Sequence, residues 1–98
     1  MLLADIKLSL RITNAAFDTE IDSLIAAAQR DLIRAGLSAD QVNSESADPL
    51  IRQAITLYVK ANFGLDNEDS DKYQRSYGLL RNELTMSQDY LQAGDANV

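Results

Sequence analysis

The side chains of this sequence with the chemistry to act on a substrate are mostly carboxylates. Asp18 and Asp22 stand four apart, which places them on one face if the segment is helical. Paired acids of this kind serve as metal ligands or as a general acid and base. Hard cations take six or more oxygens, however, and two acids without a third ligand make a weak site. With Glu20 they are better explained as negative charge set against the positive end of a helix. The acidic run Asp66, Glu68, Asp69 and Asp71 lacks the glycine and closing glutamate of a calcium loop and reads as solvated linker. The chain has no histidine and no cysteine, so the commonest general base, proton shuttle and thiolate ligand are all missing. No hydrolase, transferase or metal activity is expected, and no cofactor.

One hydroxyl needs weighing. Asp22-Ser23-Leu24 matches the tripeptide on which acyl carrier proteins bear a phosphopantetheine arm, and those proteins are also small, acidic and helical. There the serine opens a helix after a glycine-containing loop. Here Glu20-Ile21 precede it, which puts Ser23 well inside a helix. A solvent-facing helical serine is the plainer reading, and a carrier module modified at Ser23 is kept as the alternative function.

The cations are sparse. Arg30 and Arg34 share a face of one predicted helix, Arg52 and Lys60 lie on the next, and Arg75 and Arg81 on the last. Ion pairs within helices would account for them at a few tenths of a kcal/mol each. Subunit-to-subunit pairing against the acidic patches is the other reading. Separated acidic and basic faces allow head-to-tail assembly into a ring, with Asp18, Asp22, Arg30 and Arg34 as the interface candidates.

The elements that position these groups are helices. In Ile21–Gly36 the apolar residues Phe17, Ile21, Leu24, Ile25, Ala28, Leu32 and Ala35 recur at steps of three and four, one face of a helix. Leu50, Ile51, Ala54, Ile55, Tyr58 and Ala61 do the same in Asp48–Gly64, with Leu57 widening the stripe. A short helix from about Leu3 to Leu10 is expected first, with Leu3, Ile6 and Leu10 on one side. Thr13 or Asn14 caps the second helix and Gly36 closes it. Asp48-Pro49 opens the third as N-cap and first helical residue, and Gly64 ends it. Residues 37–47 read as a polar loop. A fourth helix is expected from about Ser70 to Ala93, closed by Gly94. The 98 residues, 46% of them apolar, make one all-α domain, a small four-helix bundle with a core at 1–65, a linker at 66–71 and a C-terminal helix and tail at 72–98. Leu24, Ala28, Leu32, Ala54, Ile55 and Tyr58 are expected in the core.

The last helix has a narrower stripe, Tyr73, Tyr77, Leu80, Leu84 and Leu91, interrupted by Ser87 and Gln88 and weakened at Gly78 by about 1 kcal/mol relative to alanine. Tyrosine suits surfaces buried only part of the time. This helix therefore reads as the mobile or partner-facing element, with Tyr73 and Tyr77 as edge-of-core residues the equal alternative, and a chain cut before Asp71 is expected to keep a three-helix fold. The net charge of −6 disfavours tight binding to nucleic acid. No apolar run approaches the roughly 20 residues that span a bilayer, and the N-terminus lacks a signal-peptide pattern, so a cytosolic product without membrane contact is expected.

The order of these parts resembles the head–tail connector, or head-completion adaptor, proteins of tailed bacteriophages. Leu3–Ile12, LADIKLSLRI, resembles the family's opening helix with its Leu-Arg-Ile-like turn. Phe17–Ala28, FDTEIDSLIAAA, resembles its acid-rich helix start. Asp48–Phe63, with Pro49, Ile51, Ala54 and Tyr58, resembles its proline-opened third helix, and Asp71–Leu91 its terminal helix. The chain departs from the family where many members have paired aspartates in place of Asp18-Thr19-Glu20, and where many have aromatic, asparagine and arginine residues in place of Asn62-Phe63-Gly64. The resemblance implies a non-enzymatic adaptor that forms a homo-oligomeric ring of about twelve copies in the virion. It implies that the ring docks on the portal protein, extends the channel for double-stranded DNA and offers a platform to the next head-completion or stopper protein. Before assembly the protein would sit in the host cytoplasm. Because the terminal helix of related proteins engages the portal, Tyr73, Tyr77, Leu80, Arg81 and Leu84 are the implied partner contacts.

Overall fold

The computed structural model describes residues 2–44, 48–63, 68–87 and 89–91. Among the described residues five α-helices follow one another: α1 (Leu2–Leu10), α2 (Asp18–Arg34), the single-turn α3 (Ala39–Val42), α4 (Pro49–Asn62) and α5 (Ser70–Met86). Among the described residues there is no strand, only an isolated antiparallel bridge between Leu37 and Leu91. The all-α expectation holds.

Local chemistry accounts for the helix ends. The Asn14 side chain accepts from the Ala16 amide at 2.8 Å and starts a 3-10 turn, Ala15–Phe17, that leads directly into α2. Asp18 and Glu20 occupy the first turn of α2, against its positive end. Gly36, at φ +119°, closes it. The Gly36 amide donates to the Ile33 carbonyl at 3.0 Å and the Leu37 amide reaches back to Leu32 at 3.2 Å, the paired bonds of a Schellman stop. The hydrophobic contact that accompanies such a stop comes from Leu32 and Leu37, both fully buried. Asp48 caps α4 by accepting from the Leu50 amide at 2.8 Å, with Pro49 at the first position. The first helix ends on the same pair of bonds as α2, Arg11 to Leu8 and Ile12 to Lys7, but here the left-handed residue is Arg11, at φ +60°.

One cluster forms the core. Ile21, Ile25, Ala28 and Leu32 line α2, and Ile51, Ala54, Ile55 and Val59 line α4. Ile6 comes from α1, with Leu3 and Leu10 packed partly against it. Leu24 and Tyr58 are half-buried at the margin, less enclosed than the sequence suggests. Phe17 lies just ahead of α2 and meets Phe63 edge to face, ring centroids 5.6 Å apart. A Lys7–Asp18 ion pair at 2.6 Å fastens α1 to the start of α2.

Three further expectations change. The segment expected as a polar loop contains α3 and buries Leu37 and Val42 completely. The returning C-terminal segment is tied to it: Leu37 bridges to Leu91, the Ser38 amide donates to the Tyr90 carbonyl at 2.7 Å, and Gln41 Nε2 to the Asp89 carbonyl at 2.8 Å, while α3 also packs on α2. The last helix ends at Met86, well short of Ala93, because the chain turns at Ser87 to make those contacts. Finally, α5 is built into the core. It packs more extensively on α4 than any other helix pair packs, and Tyr77 and Leu84 belong to the same buried cluster as α2 and α4. A chain cut before Asp71 would lose Tyr77 and Leu84 from that cluster and expose the face of α4 that α5 covers. The expected stops at Gly64 and Gly94, and Asp66 and Gln88, lie outside the described residues.

Candidate functional site

The partner contacts expected on α5 separate into two groups. Tyr77 and Leu84 are 7% and 1% exposed and face inward. Tyr73, Leu80 and Arg81 are half-buried along the same side. Tyr58 meets Tyr77 edge to face at 5.3 Å, and Lys60 stands 5.6 Å over the Tyr73 ring. The tyrosine stripe is thus largely engaged by α4 and α2.

A polar knot ties α5 to α2. Asp31 Oδ2 accepts from the Tyr77 hydroxyl at 2.6 Å and from Arg81 Nη1 at 2.9 Å. Burial alone would raise the Asp31 carboxyl, but the hydrogen bonds from Tyr77 and Arg81 and the charges of Arg81 and Arg34 outweigh it and hold the group below its usual 3.8. Burial, and then the adjacent carboxylate, push the Tyr77 phenol far above its usual 10.0. Perturbed groups of this kind can mark catalysis, but they are equally produced by structural pairing. Here one carboxylate is satisfied by two donors within the fold, which is the structural case.

Open grooves flank this knot. Between α4 and α5, about 310 Å³ is lined by Tyr58, Asn62, Gln74, Gly78 and Arg81. A Cβ on Gly78 would meet nothing within 4 Å, so the glycine is not required for helix packing. On the outside of α2, Arg30 and Arg34 line a groove of about 480 Å³ with Gln29, Ile33 and Asn43. Arg34 also borders a groove shared with Arg81, Asn82 and Thr85.

Of the residues expected at a subunit interface, Asp22, Arg30 and Arg34 are exposed, whereas Asp18 is drawn into its pair with Lys7. Acid and base stand at opposite ends of α2: Glu20 and Asp22 at one, Arg30 and Arg34 at the other. Ser23 is exposed inside α2, as the plainer reading has it. Among the described residues no group of three or more histidine, cysteine or acidic side chains could hold a metal ion.

Sequence reasoning passed over the outer face of α5. Leu79 and Met86 are 62% and 84% exposed, seven positions apart on one helix face. Their spacing is visible in the sequence, but so is that of the tyrosine stripe on the opposite side, and spacing alone does not rank the two.

The model of one family, described as phage connector protein, matches residues 2–91. The chain belongs to that family. No curated protein and no solved structure matches it significantly. The match spans every element described above, from α1 to the bridge at Leu91. As a phage connector the protein has a structural role at the head–tail connection of the virion, among other head and tail proteins. Among the described residues no helix of the connector is long and apolar enough to cross a membrane. Family membership lends nothing to the carrier-module reading of Ser23.

Proposed function

We propose that the connector works as a ring of copies that docks on the portal, extends its DNA channel and presents a platform to the following stopper or head-completion protein. The observation that carries this reading is the separation of charge along α2. Glu20 and Asp22 are exposed near its start and Arg30 and Arg34 near its end, about 18 Å apart from Asp22 to Arg34. The acidic end of one copy can meet the basic end of the next, a heterologous contact that closes into a ring when the rotation allows. The grooves beside Arg30 and Arg34 offer room for such a neighbour.

In this reading α5 is the portal-facing helix. Tyr73, Leu80 and Arg81 supply contact at its accessible edge, and Tyr77 and Leu84 hold the helix in place from beneath. A net charge of −6 favours a channel past which double-stranded DNA slides without being held. The work is structural and requires no cofactor.

The test is sedimentation of the connector with portal rings. Reversing both cations (Arg30→Glu with Arg34→Glu) is expected to abolish joint sedimentation while leaving the helical circular dichroism signal intact. Co-sedimentation equal to that of the unaltered protein would show that Arg30 and Arg34 are not needed for assembly on the portal.

A further inference from the structure

The outer face of α5 is self-complementary. Leu79 is its centre: Arg75 lies four positions before it and Glu83 four positions after, and Lys72 lies seven before and Met86 seven after. At 3.6 residues per turn all five fall within about 40° of Leu79 around the helix. All five are exposed, and among the described residues neither Arg75 nor Glu83 makes an ion pair.

We infer that this face pairs two copies of the free protein through antiparallel α5 helices, on a two-fold axis passing through Leu79. That register sets Leu79 against its own copy. Each Arg75 meets the partner copy's Glu83, twice by symmetry, as an isologous contact requires. Each Met86 lies against the partner copy's Lys72, whose aliphatic stem covers the thioether. No other antiparallel register satisfies both charges and both apolar residues together. A parallel pairing would set Arg75 on Arg75 and Glu83 on Glu83. Antiparallel packing also brings opposite ends of the two helix dipoles side by side. A single helix face on another falls short of the roughly 1,000 Å² of total area expected of a stable complex, so the pair is weak and concentration-dependent. An isologous pair closes on itself and cannot extend to a ring. It therefore covers the exposed leucine and methionine of unassembled protein, and it is a different contact from the one proposed along α2.

The protein has no cysteine, which permits a direct test on the purified full chain. In Leu79→Cys the two introduced thiols meet on the axis, and mild oxidation is expected to link copies into covalent dimers. In Met86→Cys they lie about 21 Å apart along the helices, and little linkage is expected. Equal linkage in both variants, or none in Leu79→Cys, overturns the register. Sedimentation velocity supplies the second arm. Arg75→Glu alone and Glu83→Arg alone are each expected to weaken dimerisation at least tenfold, and an equimolar mixture of the two to restore it. Single variants that self-associate like the unaltered protein overturn the proposal. So does unaltered protein that stays monomeric at about 1 mM, which would leave the face to another head or tail protein. Unchanged circular dichroism in each variant excludes misfolding as the cause.

Discussion

Asp31 and Tyr77, 46 positions apart in the chain, share a 2.6 Å hydrogen bond that fastens α2 to α5. Arg81 joins the same carboxylate oxygen at 2.9 Å. The last helix, which on sequence reads as the loosest part of the molecule, is thereby held to the second by a charged anchor as well as by apolar contact with α4.

Removing the phenol tests this anchor. Hydrogen bonds to charged groups contribute about 1.5–3 kcal/mol, less where water reaches the site, and Asp31 and Arg81 are partly open. Tyr77→Phe keeps the ring against Tyr58 and is expected to cost about 1–2 kcal/mol in urea unfolding at neutral pH.

The same knot has a pH signature. The folded pKa of Asp31 lies below its unfolded value, so its contribution is full above the usual 3.8 and fades as pH falls through the lower, folded value. Tyr77 is shifted the opposite way. Its contribution is full below the usual 10.0 and declines as pH rises beyond it. Unfolding free energies measured from pH 2 to 11 should therefore differ between the natural protein and Asp31→Asn most in the middle of that range, and converge at the acid end.

Two leucines on α5 separate core from surface. Leu84 is 1% exposed and Leu79 is 62% exposed. Leu84→Ala is expected to destabilise by about 2–5 kcal/mol, enough to threaten a chain of this length. In dilute protein Leu79→Ala should stay within about 0.5 kcal/mol. Thermal melts of the two variants at micromolar concentration decide it.

Gly78 sits in the interior of α5 with open space where a side chain would go. Gly78→Ala is therefore expected to raise stability by about 0.8–1.0 kcal/mol through helix propensity alone. A loss of stability would show that the groove beside Tyr58 and Gln74 is tighter than its geometry indicates.

Arg11 adopts the left-handed conformation at the end of α1, which disfavours a side-chain-bearing residue by about 1–2 kcal/mol. Glycine removes that strain but loses more freedom on folding. Arg11→Gly is expected to gain about 0.5–1 kcal/mol in chemical denaturation.

The stripes of α2 and α4, the Asp48-Pro49 start and the Gly36 stop were legible in the sequence because each acts within a turn or two of chain. Apolar spacing selects a helix face, an aspartate side chain reaches the amide two residues on, and a glycine accepts a positive φ at the place where it stands. The acidic and basic ends of α2 were legible for the same reason. Leu37 and α3 were hidden in a polar stretch because their partners, α2 and residues 89–91, are brought to them only by the fold. The facing of α5 was hidden too. Its two sides both carry large apolar residues, Tyr77 with Leu84 on one and Leu79 with Met86 on the other, and local spacing cannot rank them. Only the tertiary structure decides, since Tyr58 of α4 and Asp31 of α2 together offer Tyr77 both a ring contact and a hydrogen-bond acceptor, and that pairing turns Leu79 and Met86 toward solvent.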